Sequence, residues 1–110
     1  MGKVQRFGSV IGVKPEKLAY YKKLHAAPWP EINAMIKACN IQNYSIYYKD
    51  GLLFSYYEYV GDDYAADMAK MAADPKTQEW WAECKPCQEP LTTRAPGEWW
   101  ADMTEVYHLD

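Results

Sequence analysis

Phenylalanine is scarce in this 110-residue chain: two residues, against ten tyrosines and five tryptophans. Histidine is limited to His25 and His108. No apolar run approaches the roughly 20 residues that a membrane helix needs, and no apolar segment follows the N-terminal Met-Gly-Lys-Val-Gln-Arg, so neither a membrane partner nor a signal peptide is expected and a cytoplasmic location is. Lys and Arg form no stripe, and the net charge is −3. Phosphate-backbone binding needs clustered cations, so nucleic acid is not an expected partner. Three cysteines are an odd count, which argues against a closed disulfide framework. Cys84 and Cys87 form a C-x-x-C, but Cys39, His25 and His108 are too scattered to complete a zinc site. The pair follows a helix instead of leading into one, unlike a thioredoxin-type redox motif. Free thiols beside a loop are the expectation, with no metal. There is no glycine-rich phosphate loop, no Gly-x-Ser-x-Gly, no internal repeat and no low-complexity segment. Phosphoryl transfer, serine hydrolysis and metal chemistry therefore have no support.

What is present is ordinary in bulk and unusual in its aromatics. Hydrophobic residues make up 49% and charged residues 25%, as in a globular protein with one modest core, so a single domain over residues 1–110 is expected. Tyrosine and tryptophan rings carry polar tips. They suit a partly wet cavity, such as one holding a sugar, or a subunit interface.

Residues 4–13 alternate loosely, with Phe7, Ser9, Ile11 and Val13 on one side, and predict a strand. Pro15 suits the first turn of a helix. Leu18, Tyr21 and His25 then share one helical face. Pro28 disfavours helical geometry at Ala27, so this helix should end near Ala26. Pro30 and Glu31 open a second short helix, with Ile32, Met35, Ile36 and Cys39 inward. Two β-rich runs follow, 41–49 and 52–60, joined by Asp50-Gly51, a strong two-residue hairpin signal. Residues 62–73 read as a helix with Tyr64, Met68 and Met71 inward. Asp74-Pro75 caps another, which carries Trp80 and Trp81. Residues 86–98 read as a loop and "MTEVYHL" as a last short strand. The order predicts an α+β, ferredoxin-like βαββαβ fold with a four-stranded antiparallel sheet and helices on one face. The other sheet face is Tyr-rich and needs cover, which predicts a homodimer.

Four places can carry chemistry. His25 has the side-chain pKa closest to neutrality and shares its helix face with Tyr21, with Trp29 in the Pro-x-Pro break just beyond. It is either an acid/base at a pocket or a packed histidine at a helix end. Trp80 and Trp81 point about 100° apart, so one can be core while the other lines a cavity, or both are structural. Tyr44 shares a strand face with Ile46 and Tyr48. Glu58 shares its face with Leu52, Phe54, Tyr56 and Val60, and is either a solvated residue or a site carboxylate. A pocket of His, Tyr and Trp suits proton transfer on a polyhydroxy ligand without a cofactor.

The pieces "YYKKLHAAPWPEI", "NYSIYY", "LLFSYYE", "QEWW" and "MTEVYHL" resemble, in that order, the L-rhamnose mutarotase family, and they span most of the chain. The resemblance implies a dimeric ferredoxin-like α/β-barrel that interconverts the α and β anomers of an L-sugar pyranose. It implies that His25 is the proton donor, that Tyr21 and Tyr44 bind sugar, and that Trp80 and Trp81 do so too. The segment "CKPCQEPLTTRAPGEWW" is longer and more aromatic than the family's usual loop and is in position to cover the pocket. The sugar is thus left open between L-rhamnose and another such as L-fucose. Mutarotation protonates the ring oxygen and deprotonates the anomeric hydroxyl. With His25 as the acid, Tyr21, Tyr44, Glu58 or a water is the base. The rivals are a non-catalytic sugar-binding module and a ferredoxin-like dimer that oxidises or degrades an aromatic substrate.

Overall fold

The alternation at the start of the chain becomes β1 (Gln5–Val13), whose Ile11 and Val13 are buried. A computed structural model describes residues 3–110. After one 3-10 turn at Pro15–Lys17 come α1 (Leu18–Ala26) and, beyond the Pro-x-Pro break, α2 (Pro30–Ala38). α2 stops at Asn40, which takes a left-handed φ of 66°. β2 (Ile41–Lys49) and β3 (Leu52–Tyr59) form the hairpin. Asp50 and Gly51 both have positive φ, 51° and 81°, as a two-residue turn between twisted strands requires. α3 (Tyr64–Ala73) and α4 (Pro75–Cys84) are each capped by an aspartate: Asp63 accepts from the Ala66 N–H at 3.1 Å and Asp74 from the Thr77 N–H at 2.9 Å.

The strands form one antiparallel sheet in the order β2-β3-β1-β4, curled into a half-barrel. The fourth position is divided. β4 (Gln88–Glu89) pairs with Gly12 and Val13, and β5 (Ala101–Met103) pairs with Gly8–Val10 on the same edge of β1. Helices pack on the sheet face that carries Ile11, Val13 and Leu53, and contribute Tyr21, Ile32, Trp80 and Cys84 to a common core. No described helix is long and apolar enough to cross a membrane.

Two expectations need correction. The segment read as a loop over 86–98 contains β4, and the last strand ends at Met103, where the predicted one began. Past Met103 the alternation has no surface to bury against in one chain: Val106, Tyr107 and Leu109 are 93%, 77% and 76% exposed. Arg6, whose Nε donates to Glu105 at 2.8 Å, ties this tail to β1.

β4 lies against β1 because Gly12 has no side chain. A Cβ there would meet the Glu89 carbonyl oxygen at 2.7 Å. Gly12→Ala is expected to push β4 off the edge, costing about 1–3 kcal/mol as overpacking does. A thermal melt reads this as a fall of several degrees, and an unchanged midpoint would show that the edge gives way freely.

Candidate active site

α1 positions the first pair. Residues four apart stack on a helix, and the Tyr21 and His25 rings lie 4.1 Å apart at 23°. His25 Nδ1 is 2.8 Å from the Tyr21 carbonyl oxygen. A carbonyl can only accept, so Nδ1 carries the proton and Nε2 is the nitrogen left for other work. Burial lowers the His25 pKa below the ordinary 6.5, against the smaller opposing effect of that hydrogen bond. The resting ring is therefore neutral near pH 7, with its lone pair on Nε2. Trp80 of α4 meets His25 edge-on at 5.2 Å.

β2 supplies Tyr44 through an irregularity. Between Gln42 and Ser45 it carries one residue more than β3, and Asn43 turns to a φ of 50°. The bulge puts Tyr44 on the helix-facing side with both Ile41 and Ile46. Tyr44 opens onto the cavity there, and the protein around its hydroxyl pushes its pKa up to about 12. The cavity between helices and sheet has a volume of about 680 Å³, within the range of small-ligand sites. Tyr21, His25, Tyr44, Trp80 and Trp81 all line it.

Two candidates lie elsewhere. Trp29 stands behind Trp80, edge-on at 5.1 Å, with Lys76 Nζ 4.8 Å from its ring centre, and does not line the cavity. Glu58 is on the outer sheet face. It accepts from Gln42 Nε2 at 3.0 Å, Asn43 Nδ2 at 2.7 Å and the Tyr56 hydroxyl at 2.7 Å, and these three donors hold its pKa below the usual value. It secures the bulge that aims Tyr44 and does not reach the sugar-sized space.

Other lining residues were not legible. Gln88 of β4 is buried; its Oε1 accepts from Trp99 Nε1 at 2.7 Å and its Nε2 lies 3.4 Å from the Tyr21 hydroxyl. It ties the excursion over 90–100 to α1, and Trp99 and Trp100 of that excursion line the cavity. Asp102 of β5 faces the same space. The aromatic content of the loop was a signal for the tryptophans. Gln88 and Asp102 gave none, because their face depends on a ladder the sequence does not display.

Cys84 and Cys87 are packed in the core. Burial pushes the Cys84 thiol up to about 12 and raises Cys87 as well, the opposite of what a reactive or metal-ligating thiolate needs.

The profile of the L-rhamnose mutarotase family matches residues 6–109. The chain belongs to the L-rhamnose mutarotase family. An L-rhamnose mutarotase of Oceanobacillus iheyensis is 33% identical over 109 residues, covering 97% of this chain and 100% of its own length. Among solved structures, an L-rhamnose mutarotase from Formosa agariphila superposes with a TM-score of 0.73 at 19% identity, covering 96% of this chain and 99% of its own. A type-II polyketide cyclase of Streptomyces glaucescens superposes almost as well, with a TM-score of 0.71 at 13% identity over 96% of this chain and 97% of its own. The fold is thus shared with a cyclase, and it is the sequence that sorts this chain among the mutarotases.

Proposed function

We propose that the protein interconverts the α and β anomers of L-rhamnopyranose by opening and reclosing the ring. The observation that carries this is His25: a neutral imidazole with Nε2 free, stacked on Tyr21, in a cavity walled by Trp80 and Trp81. The tryptophan faces suit sugar C–H groups, and the Tyr21 and Tyr44 hydroxyls suit its oxygens. The family resemblance implies that His25 is the acid of ring opening. Its lowered pKa supports the reverse order: the neutral ring takes the anomeric proton on Nε2 and returns it on closure. Opening and closing move protons only, so no redox or group-transfer cofactor is called for. The proposal keeps the expected cytoplasmic location.

Saturation-transfer NMR over L-rhamnose, L-fucose and related sugars tests this. Accelerated anomer exchange of L-rhamnose is expected. Faster exchange of L-fucose would shift the substrate within the class, and the tryptophans of the 90–100 excursion are the residues on which that choice would rest. Binding without exchange would leave a sugar-binding module, and no L-sugar binding at all would sink the proposal.

We also propose that the working unit is a homodimer. The outer sheet face carries Phe54, Tyr56 and Tyr47, the last 67% exposed, and the tail beyond β5 adds Val106 and Leu109. A second copy laid on this face would cover both. Sedimentation at micromolar concentration is expected to give twice the 12.8 kDa chain mass; an active monomer there would refute the dimer.

A further inference from the structure

Ring opening moves two protons, and His25 handles one. The other group must face the same cavity. The ionisable side chains that line it besides His25 are Tyr21, Tyr44, Tyr57, Cys84, Lys85 and Asp102. Burial carries the three phenols and the thiol upward, away from the range in which a group exchanges protons readily near neutrality. Lys85 Nζ lies over the faces of Trp81 and Trp99, 5.5 and 5.8 Å from their ring centres. The Asp102 carboxyl is instead raised from the ordinary aspartate value, first by desolvation and then by Glu98.

Its position follows from the sheet. Asp102 is opposite Ser9 on β1, and Ser9 is opposite Ser55 on β3. Directly opposed residues point to the same face, so the three make a polar row along the cavity floor, with Ser9 and Ser55 joined Oγ to Oγ at 2.6 Å. His25 reaches the same space from α1. Glu98, on the excursion, accepts from the Ala95 N–H at 3.0 Å, and its negative charge disfavours ionisation of Asp102.

We propose that Asp102 is the second proton-transfer group, giving its proton to the ring oxygen while His25 Nε2 takes that of the anomeric hydroxyl. This inference rests on the mutarotase activity proposed above. The O1–H bond breaks and its proton goes to Nε2. The C1–O1 bond becomes a carbonyl, the C1–O5 electron pair leaves with O5, and O5 receives the Asp102 proton. Closure on the other face of the carbonyl reverses each transfer and restores both side chains. No oxidant, metal or co-reactant is consumed. Glu58, the carboxylate singled out in the sequence, cannot share this task from the outer sheet face.

Asp102→Asn keeps size and polarity and removes the transferable proton. It is expected to bind L-rhamnose within about threefold of the wild type and to exchange anomers about 10²–10⁴-fold more slowly. Asp102→Glu should recover part of the rate, and Asp102→Ala should regain rate with added formate, which a packing role does not predict. The alanine variant carries the test should the asparagine variant misfold. A folded Asp102→Asn protein with near-normal exchange overturns the assignment, as does a slow alanine variant that formate leaves unchanged. A wild-type protein that accelerates exchange of no L-sugar is a different failure: it removes the mutarotase activity itself, and this assignment with it.

Discussion

His25→Asn is expected to fold, to hold L-rhamnose, and to lose about 10²–10⁴-fold in anomer exchange. The fold should survive because His25 is half-buried at the end of α1 and absent from the fully buried core. Affinity should survive because Tyr21, Tyr44, Trp80 and Trp81 still line the cavity. Only the proton-accepting Nε2 is removed. The pH dependence checks the same group. Burial lowers the His25 pKa, and in the proposed mechanism the neutral ring is the working form. The wild-type rate should therefore rise with pH through a midpoint below 6.5, the acid side being the side on which the imidazole is blocked by a proton. His25→Asn should lose that rise. A folded variant with near-normal exchange, or one that keeps the same acid limb, would make His25 a packing residue.

The paired tryptophans should part company when each is cut to alanine. Trp80 is 7% exposed, belongs to the core and abuts both His25 and Trp29. Trp80→Ala should cost about 3–5 kcal/mol, a large share of the roughly 5–15 kcal/mol that stabilises such a domain. Trp81 is half-buried, turned about 100° away along α4, with Lys85 over its ring. Trp81→Ala should lower the melting temperature little and weaken L-rhamnose binding roughly tenfold, about 1.4 kcal/mol. Melting curves and titration calorimetry on both variants distinguish the two roles. Equal thermal losses with unchanged affinity would make both rings structural.

What could be read in the sequence was what is encoded locally. Asp50-Gly51 specifies its turn through backbone conformations few residue pairs accept. Asp74-Pro75 specifies a helix start, and Pro28 a helix end, by the same kind of short-range chemistry. Tyr21 and His25 were legible as a pair because helical spacing alone places them together. Trp29 looked close to them for a poorer reason: it is near in sequence, but the break between α1 and α2 sends its ring behind Trp80. Glu58 had the right neighbours on its strand, Phe54 and Tyr56, yet alternation alone does not say which face the helices cover. The bulge at Asn43 defeats alternation outright, since Ile41 and Tyr44 share a face at an odd spacing. β4 has two residues, too few for any period; its place comes from a ladder to Gly12 and Val13, some 75 positions away in the chain. Asp102 depends on the same distant pairing.

The divided fourth strand has a consequence for how the protein can change over generations. Both ends of the 90–100 excursion are fastened to one strand, Gly12–Val13 on one side and Gly8–Val10 on the other. Residues can be gained or lost between those fasteners without moving a ladder partner, and doubling such a segment costs only about 0.6 kcal/mol in closure entropy. His25 hangs from α1, outside the segment so edited. The excursion is thus a replaceable cassette: lineages can trial new tryptophans between its fasteners while the strand ladder and α1 stay in place.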